Sequence, residues 1–351
     1  MGIRFEFLRA GGGDCILISI NDNQINILID GGVEKTYNRE LKDKIKAIKQ
    51  KNRYLNLAVL THYDDDHIGG ILKLLEEEKK SIRKSGSTIL KEFWFNSFDE
   101  ALVTPSYNSN ETSAKQQIKF DKYIKELLPY ITYKSTLTTD NMDNVFIGEH
   151  QELKITFLSP NNQKLEKLFL KYKKETKSYQ TSARSNDYDI STEELFQKKF
   201  KRDTSLTNGA SIAFILEYEQ IKFMLLGDAH IDVIVDRLKE LGYSSENRLK
   251  LEFVKLSHHG SSKNLNSEFL DLIETNKFVI LTDGGRHGHP NKEALSRIIL
   301  NLNRDKDKKI DFICNYENII RNNPFSYDEE EEYNFELIYK NELLFGVNNE
   351  K

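Results

Sequence analysis

The sequence predicts a mixed α/β fold in a single domain spanning residues 1–351, and three observations support it. Short apolar and β-branched runs alternate with charged segments whose apolar residues recur at helical spacing. Four of the strand-like runs end in a polar cluster, namely THYDDDH, GDAH, SHHG and DGGRHGH. Six of the eight histidines lie in three of these clusters. If the strands lie side by side, the clusters meet at one edge of the sheets.

The composition excludes one class of function and predicts the compartment in which the protein resides. The net charge of −4 excludes a wholly basic nucleic-acid coat but permits a local basic face. The two cysteines, Cys15 and Cys314, lie in apolar runs and are predicted to be buried free thiols, as in a reducing cytoplasm. No window approaches the roughly 18 apolar residues of a membrane span. We therefore expect a soluble cytoplasmic protein that does not insert into a membrane.

The first half of the chain places a charged motif between a strand and a helix. Strands are predicted at residues 5–8, 15–20 and 24–29, followed by a helical segment at 35–51, a strand at 57–60 and a helix at 68–78. The motif THYDDDH therefore lies on a strand-to-helix loop. In α/β proteins such loops collect reactive groups, because the strand fixes the loop and the helix amino terminus is open.

A Lys-rich insertion is predicted at about residues 161–205, with helical segments. It holds eleven cationic and seven anionic side chains, a net charge of +4 in an acidic protein. Two interpretations remain open, a solvated surface excursion and a polyanion-binding arm.

The second half returns to strands. ASIAFILEY and IKFMLLGDAH predict a hairpin, and LEFVKLSHHGSS and FVILTDGGRHGHP predict two further strands, each followed by a helix. A C-terminal β extension at about 310–345 is predicted as a final hairpin around the acidic stretch DEEEEY. That acidic stretch is read as a solubilising loop, with repulsion of nucleic acid as the alternative.

The motif after the strand at 57–60 has the residues of a metal site. His62 and Asp64 alternate on an extended segment and can point to one side, whereas Asp66 and His67 continue toward the helix and can serve a neighbouring metal. A helix cap with a solvated loop would account for one or two acids. It does not account for two histidines that flank three aspartates.

The other clusters supply further candidates. Asp228 ends the apolar run FMLL and is predicted to bridge two metals. Because His258 and His259 are adjacent, we expect only one to point inward. We favour His258 as the metal ligand and His259 as a catalytic or substrate-contacting residue, and His289 is a candidate ligand or catalytic residue. Weaker substrate-binding candidates are His259, Lys263 and His287.

Together HxDxDHxGG, the strand-end GD, K-x-x-HHGS and a late GHP resemble the metallo-β-lactamase superfamily, and specifically the ComEC/Rec2-like branch of DNA-uptake hydrolases. The resemblance runs from Asp30 to Pro290. It implies an αββα four-layer sandwich, in which two sheets pack face to face with helices outside and metals bind at the sheet edges. Asp30 matches a structural aspartate that supports the metal-binding loop.

The sequence departs from that family at two points. Asp64 replaces the usual second histidine, and the histidine expected before ASIAFIL is absent, where SLTNGAS offers Asn208 as a supporting residue. One metal position is therefore richer in oxygen, which favours Mn²⁺, Mg²⁺ or Fe²⁺ over Zn²⁺ there. We expect one or two divalent ions, zinc or manganese, with magnesium or iron as alternatives.

The resemblance implies metal-assisted hydrolysis by a metal-bound hydroxide. His62 and Asp64 would hold the first metal. The second would be held by Asp66, His67 and either His289 or His258, with Asp228 as the bridge. Asp66, His259 and His289 are the predicted catalytic residues, and the non-ligating histidine of HHG is expected to protonate the leaving group or bind a phosphate oxygen.

Three functions remain open from the sequence. The first is a nuclease or phosphodiesterase that cleaves DNA or RNA, with a possible protein partner in a defence system. The second is a small-molecule phosphodiester or ester hydrolase. For such an enzyme we expect a closed pocket and no binding to DNA that depends steeply on salt concentration. The third is a catalytically silent metal-binding partner module. Structural zinc sites are usually closed and rich in Cys or His, which argues against the third.

Overall fold

The computed structural model describes residues 2–22, 24–96, 112–142, 144–147, 153–173, 186–285 and 288–346. The chain forms two compact units. Unit 1 comprises Met1–Leu137, Glu166–Lys177 and Asn341–Lys351, and unit 2 comprises Thr138–Leu165 and Ser178–Lys340.

Strands and helices alternate along the chain. The strands are β1 (Ile3–Phe7), β2 (Ile16–Ile20), β3 (Ile25–Ile29), β4 (Leu55–Val59), β5 (Leu90–Phe95), β6 (Thr132–Ser135), β7 (Asn144–Ile147), β8 (Leu153–Ser159), β9 (Ala213–Tyr218), β10 (Ile221–Leu225), β11 (Leu249–Lys250), β12 (Phe253–Lys255), β13 (Ile273–Glu274), β14 (Lys277–Ile280), β15 (Ile310–Cys314), β16 (Phe335–Tyr339) and β17 (Glu342–Phe345). The α-helices are α1 (Glu34–Thr36), α2 (Lys42–Gln50), α3 (Asp65–Ser85), α4 (Thr112–Leu127), α5 (Asn162–Lys173), α6 (Thr192–Phe196), α7 (Leu206–Gly209), α8 (Ile231–Glu240), α9 (Ser267–Leu272), α10 (Lys292–Ile299), α11 (Glu317–Arg321) and α12 (Tyr327–Glu332). A π-helical turn, Tyr37–Leu41, joins α1 to α2.

In the described part of unit 1, seven strands form one sheet in the order β17-β1-β2-β3-β4-β5-β6. The strands from β17 to β3 pair antiparallel, and those from β3 to β6 pair parallel. Helices α2, α3 and α4 contribute Ile45, Leu75 and Phe120 to a core shared with the strand residues Leu28 and Phe93. The parallel strands place the loops after β3 and β4 at the same edge of the sheet.

In the described part of unit 2, eight strands form one sheet in the order β16-β15-β14-β12-β10-β9-β8-β7. All pairs from β16 to β10 are parallel, and the pairs from β10 to β7 are antiparallel. The side chains of Ile234, Phe269 and Leu295 on α8, α9 and α10 join Val254 and Phe278 of the sheet in one core. The carboxyl ends of β10, β12 and β14 therefore meet at one edge of this sheet.

The predicted mixed α/β class is confirmed, as are the hairpin of β9 with β10 and the two buried free cysteines. The predicted C-terminal hairpin is wrong, because β15 and β16 pair in parallel. The acidic stretch forms α12, and a capping box between Ser326 and Glu329 closes the amino terminus of this helix. The helix lies in the crossover between the two strands. None of the helices in the described residues is both long and apolar enough to cross a bilayer.

Candidate metal centre

The motif loop of unit 1 brings two histidines and two acids together. Helix α3 begins at Asp65, directly after the loop, and its first turn carries Asp65 and Asp66, where the helix dipole favours negative charge. His62 and His67 are buried with ring centroids 4.1 Å apart. The Nε2 atom of His62 lies 3.7 Å from Oδ2 of Asp64. Potential ligand atoms of Asp66 and His67 lie within 4.8 Å of each other.

Asp30 orients one of these histidines. It follows β3 with a left-handed φ of 55°, and its carboxylate accepts hydrogen bonds from the backbone N–H and the hydroxyl of Thr61 at 2.8 and 2.7 Å. Its Oδ2 also lies 2.8 Å from Nδ1 of His67. A His67 that donates from Nδ1 to this carboxylate keeps the lone pair on Nε2, which is the form that binds a metal. The supporting role predicted for Asp30 stays a prediction.

Glycines let the loops of unit 1 approach this closely. A Cβ on Gly13 would lie 1.7 Å from the carbonyl oxygen of Asp66, and a Cβ on Gly70 would lie 2.0 Å from that of Gly31. The backbone N–H of Gly31 donates to the carbonyl of His67 at 2.8 Å. The paired glycines after the motif are therefore needed for backbone contact between the loop after β3 and helix α3.

Sequence reasoning missed Asp14, which directly follows the GGG stretch. It is buried, and its potential ligand atom lies within 4.8 Å of those of Asp30 and His67. The sequence did indicate a functional residue here, since Asp14 stands between three glycines and the apolar run of β2. A buried carboxylate at such a position needs a compensating partner.

In unit 2, Asp228 and two histidines converge from neighbouring strands. Asp228 follows β10, and its backbone N–H donates to Oγ of Ser211 at 3.1 Å. Its Oδ2 lies 3.8 Å from Nε2 of His258 and 3.7 Å from Nε2 of His259, both in the turn after β12. These separations are longer than a hydrogen bond. They are also shorter than the sum of two metal–ligand bonds of about 2.0–2.1 Å each, so one ion could contact both atoms. Asp228 and His259 are thus close enough to share a divalent ion.

The two adjacent histidines have different surroundings. Nδ1 of His259 lies 2.9 Å from the carbonyl oxygen of Leu281, to which it can donate, so Nε2 keeps its lone pair toward Asp228. His259 is buried, whereas the side chain of His258 is 25% exposed. Both residues have left-handed backbone, with φ values of 47° and 56°. Such strain at non-glycine residues is typical of functional sites.

His258 is held on its other side by a polar network. Its Nδ1 lies 3.2 Å from Nδ2 of Asn208, 3.2 Å from Oδ1 of Asn264 and 3.5 Å from Oδ2 of Asp203. Burial alone would lower the pKa of His258, but the charge of Asp228 and the hydrogen bond to Asp203 raise it above its ordinary value. Burial would raise the pKa of Asp203, but the hydrogen bond and charge of His258 hold it far below its ordinary range.

Sequence reasoning did not identify Asp203 as a site residue. It also did not predict that residues of the insertion support the loop that carries His289. The ring centroid of His289 lies 5.1 Å from that of His258. Behind this loop, the carboxylate of Asp187 accepts the backbone N–H groups of Lys292 and Glu293 at 2.9 and 2.7 Å and so caps α10. The hydroxyl of Tyr188 donates to the carbonyl of Pro290 at 3.4 Å. Part of the insertion therefore holds the site rather than extending away from it.

The remaining candidates are placed as follows. Lys263 is exposed in the turn after the histidine pair, and His287 lies outside the described residues. The middle acid of the motif, Asp65, points to α4, where Gln116 donates to it. Lys255, in K-x-x-HHG, is fully buried, and its ammonium donates to the carbonyl of Gly227 at 3.0 Å, next to Asp228.

The model of the metallo-beta-lactamase superfamily matches residues 8–159, a range that includes Asp14, Asp30 and the whole motif loop. This match supports membership of the metallo-β-lactamase superfamily. Its members are generally metal-dependent hydrolases, and Asp14, Asp30 and His67 of unit 1 form a group that could hold a divalent ion. The two sheets with their helices are consistent with the metallo-β-lactamase fold. No curated protein matches the chain.

Three solved structures are similar to the chain at low sequence identity. The metallo-beta-lactamase fold protein YhfI from Bacillus subtilis is 10% identical with a TM-score of 0.46, covering 98% of this chain and 99% of that one. A diphosphatase of the PhnP family is 10% identical with a TM-score of 0.41, covering 99% and 98%. The long form of RNase Z from yeast is 11% identical with a TM-score of 0.42, covering 100% of this chain and 48% of that one.

Proposed function

We propose that the protein is a metal-dependent phosphodiesterase that cleaves nucleic acid. The observation that carries the proposal is the same in both units. His67 and His259 each have Nδ1 beside an oxygen acceptor, Asp30 in one case and the carbonyl of Leu281 in the other, and each lies beside carboxylates. A histidine held in this way presents Nε2 as a metal ligand.

The residues that would hold divalent ions follow from this geometry. In unit 1 they are His62, Asp64, Asp66 and His67. In unit 2 they are Asp228 and His259, with His289 as a further candidate. Bound ions would supply an activated water and neutralise charge on a phosphate. Because Asp64 stands where the family motif has a histidine, the donor set of unit 1 is richer in oxygen than that motif, which favours Mn²⁺ or Mg²⁺ over Zn²⁺.

The geometry favours the reverse of the sequence-based roles of the histidine pair. His259 is buried with its Nδ1 fixed by a carbonyl, which suits a ligand. His258 is partly exposed and held by Asp203, Asn208 and Asn264, which suits a group that donates a proton to the leaving oxygen. Asn208 and Asp203 would then act as positioning residues.

Nucleic acid is favoured over a small molecule because exposed lysines and an arginine directly precede Asp203 in the chain. The partial exposure of His258 also fits an open site better than a closed pocket. The ComEC/Rec2-like assignment, a protein partner in defence and a cytoplasmic location stay predictions.

The test is hydrolysis by protein stripped with EDTA and supplied separately with Mn²⁺, Mg²⁺ or Zn²⁺. The substrates are bis(p-nitrophenyl) phosphate and single- and double-stranded DNA and RNA. We expect hydrolysis with at least one ion, and Asp66→Asn should lose at least 100-fold in kcat/KM because it removes a ligand charge. Asp65→Asn is the matched control, since Asp65 faces Gln116 on α4. Full activity of Asp66→Asn would contradict the ligand assignment.

A further inference from the structure

Five exposed cationic side chains lie together in unit 2, and we name them the basic strip. Four belong to the insertion and the fifth to the turn after the histidine pair. The basic strip consists of Lys198, Lys199, Lys201, Arg202 and Lys263. The two segments are joined by a hydrogen bond at 3.1 Å from the backbone N–H of Asp203 to the carbonyl of Lys263.

The backbone that carries the basic strip is held by packing and by hydrogen bonds. Phe200, in the middle of the first segment, packs against the core of unit 2, and the guanidinium of Arg297 lies 5.4 Å from its ring centroid. The same guanidinium donates to the carbonyls of Ser262 and Leu265 at 2.6 and 3.0 Å, on either side of Lys263. One buried arginine thus supports both segments, and a preorganised surface loses less entropy on binding.

The charge of the strip is not neutralised within the described residues. None of its five side chains forms an ion pair there, whereas Lys239, Lys308 and Lys309 of the same unit each lie within 4.0 Å of a carboxylate. Of the nearby acids, Glu193 accepts from the hydroxyl of Tyr333, and Asp203 faces His258. A local positive surface in a chain of net charge −4 is suited to a polyanion.

The strip also leads to the candidate catalytic residues. Arg202 immediately precedes Asp203, whose carboxylate lies 3.5 Å from His258. The chain from Lys198 to Arg202 spans at most about 14 Å. A strand whose phosphates lie along the strip would therefore continue toward His258 and Asp228.

We propose that the basic strip binds the phosphate backbone of the nucleic-acid substrate and guides it to His258. This proposal rests on the proposed function. Contacts to phosphate position a strand without reading its sequence, so binding should be tolerant of sequence and steeply dependent on salt. DNA and RNA present the same phosphodiester chemistry, and the assay contains both.

The test compares two variants that each lose four positive charges. The strip variant carries Lys198→Gln, Lys199→Gln, Lys201→Gln and Arg202→Gln. The control variant carries Lys250→Gln, Lys306→Gln, Lys308→Gln and Lys309→Gln, at exposed positions elsewhere in unit 2. Anisotropy of labelled single-stranded DNA and RNA is measured in EDTA across a salt series, and hydrolysis of bis(p-nitrophenyl) phosphate is measured with metal.

We expect the strip variant to bind at least tenfold more weakly at low salt, with a slope of log K against log salt less steep by about 3, since each single-strand phosphate contact contributes about 0.7. The control variant should match the wild type in both. Hydrolysis of the small substrate should be unchanged within about twofold in both variants, which also shows that they fold.

Two results would overturn the proposal. The strip variant could bind like the control, or the wild type could show no salt-dependent binding. Failure of the proposed function looks different, because the wild type would then hydrolyse no phosphodiester with any ion. If the wild type cleaves the small substrate but the strip variant binds nucleic acid as the wild type does, the proposal for the basic strip fails and the proposed function stands.

Discussion

The two units assemble their candidate ligands by different means. In unit 1 four donors come from the six residues 62–67, and glycine contacts bring the neighbouring loops up to them. In unit 2 the donors come from three loops after β10, β12 and β14, and side-chain hydrogen bonds around His258 hold them. Unit 1 should therefore be sensitive to added backbone bulk, and unit 2 to loss of polar partners.

The largest expected effect tests the first half of this comparison. Gly70→Ala places a Cβ 2.0 Å from the carbonyl oxygen of Gly31, and neither backbone can move without disturbing the loop. We expect a loss of about 3 kcal/mol in the free energy of unfolding, despite the better helix propensity of alanine. Urea denaturation measures it.

The control for Gly70 is Gly12→Ala, because an added Cβ there meets nothing within 4 Å. Its effect should stay within about 0.5 kcal/mol. Equal stabilities of the two alanine variants would mean that close backbone approach does not limit unit 1.

The next effect tests the polar network of unit 2. Asp203→Asn removes the charge that faces His258, and we expect metal-free protein to lose about 1–2 kcal/mol near pH 6. Asp203 has a lowered folded pKa, so its contribution is present above its unfolded pKa of about 3.9 and is lost as pH falls. His258 has a raised folded pKa, so its contribution is present below about 6.5 and is lost as pH rises through the folded value.

The stability difference between wild type and Asp203→Asn should therefore be largest between about pH 4 and 6.5 and should shrink at pH 9. Unfolding curves at three pH values measure it, with the exposed Asp189→Asn as the control. A difference that is constant with pH would show that the pair is not charged in the folded protein.

The smallest effect concerns the strained turn. His258 has a φ of 47°, which glycine adopts without penalty and alanine does not. Replacement by glycine should leave the protein about 1 kcal/mol more stable than replacement by alanine, because both variants lose the same polar contacts. Thermal unfolding of the two variants side by side measures it, and a more stable alanine variant would exclude strain at this turn.

Local patterns in the sequence determined much of this protein. The strand-to-helix position of residues 62–67, the hairpin of β9 with β10 and the buried cysteines could be predicted because each depends on neighbouring residues. Three of the four polar clusters follow β10, β12 and β14, which are parallel neighbours in one sheet. That grouping followed from the alternation of strands and helices.

Only the tertiary structure decided the rest. Asp203 carries no distinguishing local pattern. The contacts of Asp14 with His67 and of Asp203 with His258 join residues 53 and 55 positions apart in the chain. The different roles proposed for His258 and His259 depend on which acceptor reaches each Nδ1, and Leu281 and Asn264 are brought there by separate loops. The parallel pairing of β15 with β16 likewise required a helix in a segment whose acids favoured a loop. Sequence alone does not specify such contacts, because side chains distant in the chain meet only when the sheet forms.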